Sequence, residues 1–138
     1  MQPIIKDRLI LASPMAVWAA LTDPQAIRAW MGDESTVEVD LRHGGQYRLF
    51  GGETTGVFQA IDPGTRLSYT WRQREWPAEW GDSLVAWTLT PADSGTHVHL
   101  VHDRFPNEEE RDAHDEGWDE YFLGPLQETL EGRRDAEA

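Results

Sequence analysis

Two histidines, His102 and His114, have the chemistry and the position for a role inside the molecule, because histidine titrates near neutral pH. His102 shares its strand parity with Val98 and Leu100, and His114 lies one helical turn before Trp118 on an apolar stripe. Each ring could donate or accept a hydrogen bond in a cavity, and either could act as an acid or a base. The simpler interpretation is that a neighbouring backbone group or carboxylate satisfies each ring.

Metal and nucleophile chemistry have weaker signals. His97 and His99 have the i, i+2 spacing that would let two imidazoles hold a metal on one strand face, but no third ligand accompanies them at a recognisable spacing. The chain has no cysteine, which excludes disulfides, zinc–thiolate sites and cysteine nucleophiles. No serine lies in a G-x-S-x-G elbow, and no glycine pattern matches a phosphate loop. We therefore predict no catalytic residue, no metal site and no cofactor.

Aromatic residues form the other notable group, with seven tryptophans among 138 residues. Several alternate along predicted strands so that one face of a sheet is large and apolar. Such rings could line a ligand pocket, since they give a large contact area, or they could simply pack the core. The residues predicted to line a pocket are Tyr47, Phe58, Tyr69, Trp71, Trp87, Leu89, His102, His114, Trp118 and Phe122.

The loop 73–82 carries two further tryptophans, Trp76 and Trp80. Two such residues in one connection are unusual, because exposing them to water is costly. They could form a lid over the pocket mouth, pack on a symmetric partner, or fold back on the sheet. We retain all three alternatives and treat the two tryptophans as a possible lid.

The sequence predicts a first strand over residues 4–11, and two helix-start signals after it predict two short tandem helices. Ser13-Pro14 and Asp23-Pro24 each combine an N-cap residue with proline at the first helical position. Six short runs, separated by Gly, Pro, Asp or Ser, then predict a meander of antiparallel hairpins. These strands are predicted over residues 36–41, 46–50, 54–61, 66–72, 83–90 and 96–102.

The last segment predicts one long helix. Asn107 is a good N-cap, and Glu110 lies three residues further on, at the spacing of a capping box. An apolar stripe follows at steps of three and four, formed by His114, Trp118, Tyr121, Phe122, Leu126 and Leu130. Gly124-Pro125 interrupts the pattern, so we expect a kink near residues 121–124 or the end of the helix there.

Composition limits the possible partners. The chain has 25 acidic and 12 basic residues, a formal net charge of −13, which argues against nucleic acid and anionic membranes. No apolar stretch approaches the roughly 18 residues needed to span a bilayer, and the first residues do not form a secretory signal. We expect a small acidic cytoplasmic protein without membrane insertion. We also expect a single domain over residues 1–138, with a flexible tail from about residue 132.

Five stretches in order resemble a known family: ASPMAVWAALTDPQAIRAWM, GGQYRLF, LSYTW, VAWTLTP and HDEGWDEYFLGPLQETL. They resemble the bacterial single-domain members of the family named after the activator of the heat-shock protein 90 ATPase, within the START-like, SRPBCC superfamily. The resemblance covers about residues 4–131. It implies the α+β helix-grip (Bet v 1-like) fold, in which a curved antiparallel sheet of about seven strands surrounds a long C-terminal helix.

The resemblance also implies a function class, although a fold alone does not determine chemistry. The first expectation is a protein that holds a hydrophobic or aromatic small molecule or lipid between the sheet and the C-terminal helix. The first alternative is a co-chaperone-like interaction module, and the second is an enzyme acting on a bound hydrophobic substrate. A homodimer is possible because two-fold dimers are the commonest oligomers.

Overall fold

Alternating apolar residues along the middle of the chain form the predicted sheet. The computed structural model describes residues 2–32 and 36–137, with side chains as far as residue 132. All neighbouring strands are antiparallel, in the order β1-β7-β6-β5-β4-β3-β2. The strands are β1 (Ile4–Ile10), β2 (Glu38–Val39), β3 (Gln46–Leu49), β4 (Thr54–Asp62), β5 (Arg66–Gln73), β6 (Ser83–Ala92) and β7 (Gly95–Asp103).

Three predicted strands are shorter than expected, and the first of them, β1, ends at Ile10. Of residues 36–41, only Glu38–Val39 pairs with β3. Phe50 lies outside β3, because its backbone turns into the left-handed region with φ of 53° and leads into Gly51 and Gly52, which also have positive φ. This conformation is unusual for a bulky aromatic residue and points to a constrained loop.

Two helices follow β1 as predicted, α1 (Pro14–Thr22) and α2 (Pro24–Met31). The Ser13 hydroxyl accepts a hydrogen bond from the Ala16 amide at 3.1 Å, and Asp23 caps α2 in the same manner. These caps satisfy amide donors that a helix start would otherwise leave unpaired. The Trp30 indole then donates to the Ala20 carbonyl at 2.8 Å, which joins the two helices.

The C-terminal helix does not end at Gly124-Pro125, but it departs from α-helical geometry in the turn just before these residues. It consists of α3 (Glu108–Gly117), a π-helical turn (Trp118–Leu123) and α4 (Gly124–Glu137). The Gly124 amide donates to the Asp119 carbonyl five residues earlier, and the wider turn accommodates Pro125, which has no amide hydrogen. A Cβ atom at Gly124 would lie 2.8 Å from the Asp119 carbonyl oxygen, so a larger residue would need this turn to shift.

This helix packs across one face of the sheet, which is the predicted helix-grip architecture. Ion pairs join it to the edge strand β1, with Lys6 Nζ 2.7 Å from Asp115 and 2.8 Å from Asp119. The hydrogen bond from Lys6 lowers the pKa of the Asp119 carboxyl group. One hydrophobic core extends through both layers.

In the described part of the chain, no helix is both long and apolar enough to cross a bilayer. The side chains of the predicted flexible tail lie outside the described residues.

Candidate functional site

An open pocket of about 570 Å³ lies where β4 and β5 approach α3 and the π-helical turn. Its volume falls within the range of about 300–1,000 Å³ that is usual for small-molecule sites. The wall that the C-terminal helix provides has small residues at Ala113 and Gly117. The aromatic residues around the pocket are Phe50, Trp71, Trp118, Tyr121 and Phe122, and the polar ones are Glu53, Thr54, Gln73, Glu75, Glu110 and His114.

The deeper interior between sheet and helix is nearly filled. A second gap of about 20 Å³ lies next to Tyr47, Phe58 and Tyr69. A gap of this size has room for about one water molecule and not for a larger ligand. Of these two spaces between the sheet and the C-terminal helix, only the open pocket at one end of the layer is large enough for a small molecule.

The structure separates the predicted pocket residues into three groups. Trp71, His114, Trp118 and Phe122 line the open pocket. Tyr47, Phe58 and Tyr69 line the small gap, whereas Trp87, Leu89 and His102 line neither of these two spaces and are at most 3% exposed. Ligand contact by any of these residues stays a prediction.

The buried His102 ring is fully hydrogen-bonded. Its Nδ1 accepts a hydrogen bond from Trp118 Nε1 at 3.0 Å, because an indole nitrogen can only donate. Its Nε2 therefore carries the proton and donates to Ser83 Oγ at 2.8 Å, and the Ser83 hydroxyl donates to the Trp71 carbonyl. Burial lowers the pKa of His102 well below its usual value, since a charged ring would lose solvation. The structure thus agrees with the simpler interpretation of His102, in which neighbouring groups satisfy both ring nitrogens.

This network predicts a specific loss of stability in acid. The unfolded chain protonates His102 near its usual pKa of 6.5, whereas the folded chain keeps it neutral, so acid favours unfolding. From about pH 7.5 to about pH 5.5, the free energy of unfolding should fall by about 1.4 kcal/mol through this group. The measurement is denaturant unfolding at both pH values, compared with a His102→Gln variant. If the free energy of unfolding fell equally in the natural protein and in His102→Gln, the assignment of this pH dependence to His102 would be contradicted.

His114 stands at the pocket wall with both ring nitrogens in use. Its Nε2 accepts from Trp71 Nε1 at 3.2 Å, and its Nδ1 donates to the Glu110 carbonyl at 2.7 Å. This arrangement requires a neutral ring with the proton on Nδ1. His114 therefore fixes the Trp71 indole against α3, and a role as acid or base would require it to release one of these bonds.

Of the two loop tryptophans, Trp76 folds back against α3 and Trp80 packs beside it. Trp76 is 4% exposed, and its Nε1 donates to Glu110 Oε1 at 2.7 Å. Its ring centre lies 6.1 Å from the rings of both Trp80 and His114. Trp76 thus folds back against α3, and packing of the loop on a symmetric partner stays a prediction. The lid function stays a prediction.

Arg72 holds this loop in place. Its guanidinium donates to the Trp80 carbonyl at 2.7 Å and to the Pro77 carbonyl at 2.6 Å, and it lies 3.2 Å from Asp82. Lysine cannot make this fork of bonds. Arg72→Lys should therefore lower the free energy of unfolding by about 1–2 kcal/mol. Amide hydrogen exchange in residues 74–82 should accelerate at the same time.

The matched control for this prediction is Arg48→Lys. Arg48 is exposed and lies 3.7 Å from its partner Glu38, so its replacement should change the free energy of unfolding by less than about 0.5 kcal/mol. Unchanged hydrogen exchange of the 74–82 loop in Arg72→Lys would show that other contacts hold the loop.

The pair His97 and His99 has a neighbour that the sequence pattern did not reveal. Asp7 faces His99 across the β1–β7 register, and one of its oxygens lies 3.0 Å from His97 Nε2 and 2.7 Å from His99 Nδ1. The hydrogen bond from His99 lowers the pKa of Asp7. Within residues 2–32 and 36–132, no group of three or more acidic, histidine or cysteine side chains has a geometry that could hold a metal ion.

Several pocket residues were not predicted from the sequence. Phe50, Tyr121 and Gly117 line the pocket together with the rim carboxylates. The only sequence signal for Phe50 was the double glycine that follows it, which marks a loop. Tyr121 lay on the predicted apolar stripe but is 60% exposed, because it lies at the pocket mouth in the π-helical turn.

Comparison with known proteins gives one family match. A family model described as "Activator of Hsp90 ATPase homolog 1-like protein" matches residues 11–131. A similar curated relative is the "Activator of 90 kDa heat shock protein ATPase homolog" of Dictyostelium discoideum, 29% identical over 121 residues. The match covers 86% of this chain and 30% of that protein. The chain thus spans about a third of the length of the curated relatives it matches.

Solved structures show the same fold. An HSP90 activator from Plasmodium falciparum superposes with a TM-score of 0.82 at 24% identity, covering 96% of this chain and 97% of that one. CalU16 from Micromonospora echinospora gives a TM-score of 0.80 at 29% identity, covering 94% of this chain and 74% of that one.

Proposed function

From the premise that this chain belongs to the family of activator of Hsp90 ATPase homolog 1-like proteins, we propose that it binds a hydrophobic or aromatic small molecule or lipid. The proposed site is the pocket between β5, α3 and the π-helical turn. The observation that carries the proposal is a pocket of about 570 Å³ with aromatic walls, compared with a gap of about 20 Å³ deeper between the sheet and the C-terminal helix. Concave aromatic pockets with a few polar groups are the usual form of small-molecule sites.

The position of the π-helical turn supports this proposal. It places Trp118, Tyr121 and Phe122 along the pocket, and the ring centre of Trp118 lies 5.2 Å from that of Trp71 in β5. π-Helical turns are frequent at functional sites, because they cost some regularity and persist where they position side chains. The hydrogen bonds from Trp71 to His114 and from Trp118 to His102 hold two of these rings in fixed orientations.

The test is a titration of the purified protein with N-phenyl-1-naphthylamine, a neutral aromatic probe, combined with native mass spectrometry of freshly purified protein. We expect saturable fluorescence enhancement with one probe per chain, or a copurified small molecule that the probe displaces. Absence of both a copurified mass and any saturable probe signal would overturn the proposal.

A second candidate function rests on the family match alone. The relatives are named activators of the 90 kDa heat-shock protein ATPase, and this chain spans about a third of their length. A co-chaperone-like role would appear as faster ATP hydrolysis by a purified heat-shock protein 90 when this chain is added. No stimulation at saturating concentration would remove this candidate.

An enzymatic role has less support. His102 and His114, the acid or base candidates, have both ring nitrogens hydrogen-bonded within the fold. If turnover of a bound substrate were found, an unchanged rate in both His102→Ala and His114→Ala would exclude these two histidines as its acid or base. The possible homodimer and the cytoplasmic location stay predictions.

A further inference from the structure

The pocket rim carries three carboxylates, Glu53, Glu75 and Glu110. Glu53 is paired with Arg74 Nη1 at 3.1 Å. Glu110 accepts a hydrogen bond from Trp76 Nε1 at 2.7 Å through one of its oxygens, which orients the carboxylate. Glu75 is exposed and has no hydrogen bond or ion pair with any other described residue. The rim therefore presents negative charge that the protein neutralises only in part.

Few positive groups oppose these carboxylates. The residues that line the pocket include no lysine or arginine. The adjacent Arg74 is engaged with Glu53 and with the Gly51 carbonyl at 2.9 Å. His114 is neutral in its observed hydrogen bonds. An anionic group entering this pocket would meet repulsion, whereas a cation would meet attraction.

The aromatic walls favour the same sign of charge. The indole N–H groups of Trp71 and Trp118 are both consumed by bonds to histidines inside the protein, so neither is left to donate to a ligand. The rings themselves can attract a cation through their electron-rich faces. The remaining neutral donors of the lining are the Gln73 amide and the Tyr121 hydroxyl. The pocket thus offers mainly acceptors and aromatic surface.

We propose that the ligand of this pocket is an organic cation, an apolar or aromatic body that carries a protonated amine. This inference rests on the proposed binding function and specifies its ligand class. The amine lies at the rim between Glu75 and Glu110, and the apolar body packs against Trp71, Trp118 and Phe122. A fatty acid or another anionic amphiphile is disfavoured by the same charges.

The experiment uses three dansyl probes with the same alkyl chain, which ends in an ammonium, a methyl or a carboxylate group. At low salt, the ammonium probe should bind at least about tenfold more tightly than the carboxylate probe. The difference should shrink as salt rises, because ions screen the rim charges. Equal binding of all three probes, or tighter binding of the carboxylate probe, would overturn the inference and leave the proposed function standing. No binding of any probe would overturn both.

Variants locate the effect at the rim. Glu75→Gln combined with Glu110→Gln keeps an acceptor for the Trp76 indole while removing both charges, and it should reduce ammonium-probe affinity about tenfold without changing methyl-probe affinity. Glu128→Gln, an exposed position on α4, is the control for net charge and should change neither affinity. An equal loss in Glu128→Gln would show that overall charge, not the rim, selects the probe and would contradict the proposal.

Discussion

Replacement of Trp118 by alanine is expected to lower the free energy of unfolding by about 3–5 kcal/mol, because it removes a large ring from the centre of the core. Trp118 is 2% exposed, and its ring centre lies 4.5 Å from that of Phe122 and 5.2 Å from that of Trp71. The change also leaves His102 Nδ1 without its donor in a buried position. Denaturant unfolding measures the loss.

Two further variants separate packing from hydrogen bonding. Trp118→Phe keeps most of the ring but deletes the donor, so it should cost about 1–3 kcal/mol. Tyr121→Ala alters the same π-helical turn at a side chain that is 60% exposed, and should cost less than about 1 kcal/mol. A cost for Trp118→Ala no greater than that for Tyr121→Ala would contradict the central position of Trp118.

Replacement of Gly117 by tryptophan is expected to weaken binding of a neutral aromatic probe about a hundredfold, or by about 2.7 kcal/mol. Gly117 lines the pocket in α3, where its backbone is helical, and an added Cβ atom would come no closer than 3.9 Å to Tyr121. The fold therefore tolerates a side chain, and removal of a helical glycine should favour the helix. The new ring would occupy the space that the ligand needs.

Gly132→Trp is the matched control, because Gly132 also lies in the C-terminal helix and an added Cβ atom would meet nothing within 4 Å. Gly132 is not among the residues that line the pocket. The Gly132→Trp variant should therefore bind the probe with the same affinity as the natural protein. Equal affinity in Gly117→Trp and the natural protein would show that the probe binds elsewhere.

Much of the fold could be predicted because local signals determine it. Ser13 and Asp23 satisfy helix amides within a few residues, and Asn107 does the same at 2.9 Å from the Glu110 amide. Short alternating runs between Gly and Pro turns are sufficient to define antiparallel hairpins. The helix-grip order then followed from the sequence of elements and from the family resemblance.

The site was harder to predict, because it depends on contacts between distant segments. Strand parity identifies inward residues but does not distinguish Trp87, fully buried in the core, from Trp71, which lines the pocket. The bond from Trp76 to Glu110 joins residues that are 34 positions apart. Proline in a helix predicts an interruption, but a π-helical turn, a kink and a helix end are all compatible with that signal.

The central claim is that a small apolar molecule binds in the pocket between β5 and the C-terminal helix. Its most direct test is a set of ¹⁵N–¹H spectra of the protein during titration with N-phenyl-1-naphthylamine. The account predicts shifts of the Trp71 indole and the Gly117 amide, which lie at the pocket, and no shift of the Trp18 indole in α1. Shifts confined to α1 and its surroundings, with Trp71 and Gly117 unchanged, would contradict it.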